Sequence, residues 1–243
     1  MRYFIEFSYN GTNYFGYQIQ PKDISVQEEL EKALSTILRE PIKTVGAGRT
    51  DTGVHAKKMF AHFETEQILP DHLTHQLNSF LPADISIKRI FKVKDDFHAR
   101  FDATFRTYEY YISLGKNPFT QNSAWQLWRR NIDVDKMNEA CKILFEYEDF
   151  TSFAKLHTDN KTNLCKIYKA EWEQAGTELK FTISANRFLR NMVRAIVGTI
   201  VEVGSGKMQP QDLRKVIENK NRSSAGTSAP AHALFLVDVG YDF

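Results

Sequence analysis

The stretch Ser25-Val26-Gln27-Glu28-Glu29-Leu30-Glu31-Lys32-Ala33-Leu34-Ser35-Thr36-Ile37-Leu38 decides the reading of the fold. Ser25 and Glu28 have the spacing of a capping box, which satisfies two of the amide groups left open at a helix start. Val26, Leu30, Leu34, Ile37 and Leu38 then recur at helical spacing, and Pro41 ends the run. Before this helix, residues 2–9 alternate as a strand. After it come strands at about 42–49 and 57–65, a helix at about 70–80 and a strand at about 84–93. The second half repeats the alternation. It has a strand at 105–115, a helix capped by Asp133 that carries Val134, Met137, Cys141 and Leu144, and strands at about 164–174 and 177–186. A long helix over 187–203, a short one after Pro210 and a last strand from Leu234 to Val239 follow.

Strand–helix–strand–strand–helix–strand order in each half predicts an α+β fold of two ferredoxin-like halves, 1–104 and 105–243. The halves are expected to share a mainly antiparallel sheet with helices on one face. Asn219 to Pro230 is small and polar and reads as a loop.

Composition excludes several classes. The chain has 243 residues, 42% of them apolar and 26% charged, enough for a real core. No apolar run approaches the ~20 residues of a membrane span. The segment Met1 to Phe7 alternates like a strand and lacks the apolar block of a secretory signal, so a cytoplasmic location is expected. Cys141 and Cys165 form no CxxC pair and read as buried thiols; His72 and His75 alone are a weak metal signal, so no metal site is expected. A net charge of +2 rules out a general polycation but leaves room for a local basic face.

Gly46-Ala47-Gly48-Arg49-Thr50-Asp51-Thr52-Gly53-Val54-His55-Ala56 is the most informative segment for function. It is neither a dinucleotide-binding turn, because no helix follows, nor a phosphate-binding loop, because GK followed by Ser or Thr is absent. A tight turn would use the glycines and one aspartate, but has no need of Arg, Thr, Asp, Thr and His together. Arg49 lies two residues before Asp51, and a neighbouring guanidinium favours an ionised carboxylate. A charged aspartate on a glycine-flexed loop can serve as a nucleophile. In the helix read over 187–203, Phe188, Met192, Ile196, Thr199 and Val203 fall on one side, and Arg187, Arg190 and Arg194 on the other.

The Asp51 segment is similar to the catalytic motif of the tRNA pseudouridine synthase A family, with Thr52 where that family usually has Ala. Tyr9-Asn10-Gly11-Thr12 with Phe15-Gly16-Tyr17-Gln18 resembles its N-terminal signature, with Asn10 for Asp and Tyr17 for Trp. The resemblance continues through Leu77-Asn78 to Leu81-Pro82, Asp84-Ile85, Phe97-His98-Ala99-Arg100-Phe101, Arg106-Thr107-Tyr108-Glu109-Tyr110, Asp149-Phe150-Thr151-Ser152-Phe153 and Met192-Val193-Arg194 to Gly198.

The resemblance implies a nucleophilic Asp51 and a Tyr108 that stacks on the target base and assists removal of the C5 proton. It implies an Arg194 that pairs with Asp51, and a Leu234 that lines the uracil pocket. The position before Leu234 usually carries Gly; Ala233 would be strained if the backbone needed positive φ there. It further implies uridines 38, 39 and 40 of the tRNA anticodon arm as targets, and a homodimer. The isomerisation exchanges no electrons, so its chemistry asks for no nicotinamide, flavin or metal. Lys57, Lys58, Arg100, Arg129, Arg130, Arg187 and Arg190 are the candidates for phosphate contacts. A non-catalytic RNA-binding module and a nucleotide-dependent oxidoreductase stay as alternatives. The first would not need Arg49, Asp51 and Arg194 together; the second lacks a phosphate-binding motif.

Overall fold

A computed structural model describes residues 1–128, 130–155 and 162–243. Among the described residues there are nine strands and five α-helices, and the strand pairs are mainly antiparallel. The fold is therefore α+β, as the alternation predicts. No described helix is long and apolar enough to cross a membrane. The chain divides into two compact units, Met1–Thr104 with Phe235–Phe243, and Phe105–Leu234.

In the first unit, β1 (Arg2–Tyr9), α1 (Val26–Leu38), β2 (Thr44–Gly46), β3 (His55–Glu64), α2 (Leu73–Phe80) and β4 (Ile85–Val93) follow in that order. β1 is central, antiparallel to β3 on one side (Ile5 opposite Ala61) and to β4 on the other (Ile5 opposite Ile90). The outer edge of β3 is shared. β2 pairs with its far end (Val45 opposite His62), while β9 (Leu234–Gly240) runs parallel to its start (His55 opposite Phe235). The strand order β4–β1–β3–β2 is that of a ferredoxin-like unit.

The N-cap half of the box forms: the Ser25 hydroxyl accepts from the Glu28 amide at 3.2 Å. Arg39, in left-handed conformation at φ 56°, stops the helix before Pro41 is reached. Glu31 is a buried exception on the apolar face of α1. Its carboxylate accepts from the Thr44 amide at 2.9 Å and from Lys43 Nζ at 3.0 Å, tying the helix to β2 at the base of the Asp51 loop.

His62 is buried on β3, and its Nδ1 accepts from the Ala99 amide at 3.0 Å. Burial, with the Arg2 charge adding, pushes the imidazole down from its ordinary 6.5 to about 4. The unfolded chain binds this proton between those values and the folded chain does not, so stability is lost as pH falls from 6.5 towards 4. We expect urea denaturation to show wild type losing about 2 kcal/mol more than His62→Gln between neutral pH and about pH 4.5. Equal losses in the two proteins would remove His62 as the cause.

The second unit contains β5 (Phe105–Ser113), β6 (Trp125–Gln126), α3 (Val134–Ile143), β7 (Ile167–Ala175), β8 (Glu178–Ala185), α4 (Met192–Gly204) and α5 (Asp212–Glu218). β8 lies between β5 and β7, antiparallel to both, and the Trp172 ring stacks on Phe181 at 4.8 Å. Asp133 caps α3 through the Lys136 amide, and both cysteines are buried and free.

One expectation fails. The helix read over 187–203 begins only at Met192, because Asn191 adopts a left-handed φ of 67° and turns the chain into it. Residues 186–190 are instead pinned by backbone bonds, Asn186 N to Lys166 O at 3.1 Å and Lys155 N to Arg190 O at 3.0 Å. Arg187 and Arg190 therefore do not form a helical stripe with Arg194.

Candidate active site

The Asp51 loop joins β2 to β3 and is held by the segment that follows β1. Tyr17 N donates to Thr50 O at 3.3 Å, Gly53 N to Tyr14 O at 3.3 Å, and Val54 N to Asp51 O at 3.1 Å. The Tyr9 and Thr50 hydroxyls lie 2.9 Å apart in a buried hydrogen bond, and Gly11 N donates to His55 Nδ1 at 3.0 Å. The His55 ring stacks on Phe235 at 4.5 Å.

Two glycines in this segment permit the close approach. A Cβ on Gly11 would sit 2.0 Å from the Val54 carbonyl oxygen, and one on Gly16 2.5 Å from that of Thr50. Both clashes are with backbone, which cannot swing aside. The sequence signature around residues 9–18 is thus the wall against which the aspartate loop is pressed. Tyr17 continues that wall, since its ring lies where a side chain on Gly46 would be. Asp51 is half-buried, Thr50 is buried and Arg49 is exposed. Arg49 and Asp51 thus sit two residues apart on one loop, with Thr50 buried between them.

In the second unit, Tyr108 lies on β5 opposite Ile183, half-buried, with its ring edge-to-face on Phe188 at 5.2 Å. Arg194 is in the first turn of α4. Its Nε donates to Ala229 O at 2.7 Å, and its own carbonyl accepts from Ala229 N at 2.9 Å. Residues 222–230, read as a polar loop, form a strap bonded along α4. Arg222 donates to Gly226 O at 3.1 Å and to the Ser228 hydroxyl at 2.8 Å, and Asn191 Nδ2 donates to the same hydroxyl at 2.7 Å. Gly226 N donates to Thr199 Oγ1 at 2.9 Å.

At the end of the strap, buried Tyr110 donates to Pro230 O at 2.9 Å. Burial pushes the pKa of this hydroxyl up and keeps it a donor, while the Arg194 charge acts the other way. Leu234 is buried at the start of β9, after a 3-10 turn over Ala231–Ala233. Ala233 is not among the residues with positive φ, so alanine fits there without strain.

The basic candidates differ in their surroundings. Lys57 is exposed with its ammonium 5.3 Å from the Phe235 ring centre, and Lys58 forms an ion pair with Asp238 at 2.7 Å. Arg100 and Arg190 are exposed, as is Arg130; Arg187 is half-buried, and Arg129 lies outside the described residues. Sequence reasoning missed Arg222, Ser228 and Asn191. The available signal was a run of small residues, Ser223 to Ala229, able to lie flat on a helix that itself carries Gly198.

A sequence profile of the tRNA pseudouridine synthase family matches residues 6–102 and 140–242. A Bacteroides thetaiotaomicron protein named tRNA pseudouridine synthase A is 57% identical, over 99% of this chain and 90% of its own. Its namesake in Bacteroides fragilis is also 57% identical, over 99% and 96%. One in Bacillus licheniformis is 41% identical over the whole of both chains. With a family match to both ends of the Asp51 loop's supporting wall and to the Arg194 strap, the chain belongs to the tRNA pseudouridine synthase A family, a family of isomerases.

Proposed function

We propose that this protein converts uridine to pseudouridine at positions 38, 39 and 40 of the tRNA anticodon arm, with Asp51 as the nucleophile. The reaction breaks the bond between uracil N1 and ribose C1′, turns the base, and joins C5 to C1′. Two routes are open to the Asp51 carboxylate, addition at uracil C6 or attack at C1′. The observation that carries the reading is the clamping of the Asp51 loop by Tyr9, Gly11, Gly16 and Tyr17, which fixes the backbone of a side chain left partly open to solvent. A nucleophile gains most from such fixed placement.

Tyr108 supplies a ring face for the unstacked uracil, Leu234 an apolar wall, and Arg194 the cation assigned to the aspartate. Arg49, exposed, is left to a supporting charge. Extruding the base costs a few kcal/mol. Phosphate contacts from Lys57, Lys58, Arg100, Arg130, Arg187 and Arg190 offset that cost and make tRNA binding weaken with salt. The protein works on tRNA as a homodimer in the cytoplasm.

The test is incubation with an unmodified tRNA transcript followed by mapping of pseudouridine. Modification confined to the anticodon arm, and lost when uridines 38–40 are replaced by cytidine, is the expected result. Binding without conversion would instead favour the RNA-binding module. Tyr108→Phe is expected to lose roughly 10²-fold or more in rate with tRNA affinity nearly unchanged, because the stacking face survives while the hydroxyl does not. Equal losses in rate and affinity would argue against a proton-transfer role.

A further inference from the structure

We infer that Arg222, acting through the Ser228 hydroxyl and the strap backbone, is a positioning residue for Arg194. This rests on the catalytic reading of Arg194 given above. The Arg222 guanidinium is half-buried, yet its bonds go to neutral acceptors: the carbonyls of Ala225 at 3.3 Å and Gly226 at 3.1 Å, and Ser228 Oγ at 2.8 Å. A planar fork that gathers two successive carbonyls and a hydroxyl sets the path of residues 225–228. Ser228 Oγ is the junction, since it accepts from Asn191 Nδ2 as well, and Asn191 is the left-handed residue from which α4 starts.

One residue further along, Ala229 holds Arg194 at two points, N to Arg194 O at 2.9 Å and O from Arg194 Nε at 2.7 Å. The chain of contacts runs from Arg222 to Ser228 to Ala229 to the Arg194 guanidinium, with Asn191 fixing the helix end that carries it. With Nε engaged by a backbone carbonyl, the rotation of the guanidinium is set, and its terminal nitrogens are aimed by the strap.

The experiment compares Ser228→Ala, which removes the junction, with Ser228→Thr, which keeps the hydroxyl, and adds Arg222→Lys, which keeps charge but loses the fork. Single-turnover conversion of tRNA, tRNA affinity, and the Nε–H resonance of Arg194 are measured on the full chain. Ser228→Ala and Arg222→Lys are expected to slow conversion about tenfold or more with affinity within about twofold, as small misplacements do. Ser228→Thr is expected to restore the rate. In an Arg194→Ala background, Ser228→Ala is expected to cost nothing further.

A protected Arg194 Nε–H signal in wild type should broaden or exchange faster in Ser228→Ala. Wild-type conversion with an unaltered signal in Ser228→Ala would overturn the proposal, as would additive losses with Arg194→Ala. If Arg194→Ala itself converts tRNA at the wild-type rate, the catalytic reading of Arg194 fails; the resonance then decides separately whether the strap positions it.

Discussion

Asp51→Asn is expected to abolish pseudouridine formation while leaving tRNA affinity within about threefold. The two side chains have the same shape, so the packing of the loop is preserved. The loop is supported by the backbone of Thr50, Gly53 and Val54 and by the Thr50 hydroxyl, none of which the substitution alters. What changes is the chemistry. A carboxamide lacks the anionic oxygen that adds to carbon, and removing a covalent nucleophile from a preorganised site costs on the order of 10⁴- to 10⁶-fold in rate. Affinity is carried by phosphate contacts and stacking spread over many residues, so it should hardly move. Single-turnover assays and filter binding separate the two quantities. Asp51→Glu should fail nearly as badly, since one added methylene displaces the oxygens by more than an ångström on a loop that cannot retreat from the Gly11 and Gly16 contacts. Retention of wild-type turnover by Asp51→Asn would remove this residue from the reaction.

The elements that sequence made legible were those specified locally. The Ser25–Glu28 capping box and the spacing of Val26, Leu30 and Leu34 lie within one helix, and α1 begins as read. The alternation of residues 2–9 gave β1 to the residue. Where the outcome depended on contacts distant in sequence, local pattern misled. The apolar spacing of Phe188 and Met192 continues a helical face backwards, but Asn191 takes the left-handed conformation that asparagine tolerates better than most residues. Periodicity carries no sign of that turn.

The site shows the same division. The Asp51 motif was visible because its chemistry-bearing residues are consecutive. The clamps on it were not, because Gly11 meets Val54, and Gly16 meets Thr50, across more than thirty residues. The polar loop at 219–230 was placed by composition alone. Small polar residues signal mobility when they face water, but here they allow the backbone to bond to α4.

Gly198→Ala offers the strongest structural test of that strap, because two general expectations oppose each other. Alanine is the better helix former by about 1 kcal/mol, and Gly198 lies inside α4, so a substitution judged by helix propensity should stabilise the protein. The contacts predict otherwise. A Cβ at this position would lie 1.8 Å from the Thr227 carbonyl oxygen and 3.0 Å from its carbon. Neither atom belongs to a flexible side chain, so the strap has to lift by more than an ångström. Lifting it stretches the Gly226–Thr199 bond and both bonds between Ala229 and Arg194. Overpacking of this kind costs about 1–3 kcal/mol, and the lost hydrogen bonds add about 1 kcal/mol each. The net effect should be a fall in melting temperature of several degrees despite the gain in propensity. Conversion of tRNA should fall roughly 10²-fold, since the guanidinium of Arg194 loses the carbonyl that orients it. The measurement pairs thermal unfolding with single-turnover rate. A raised melting temperature together with an unchanged rate would mean that residues 225–229 do not rest on the helix, and that Arg194 takes its orientation from elsewhere.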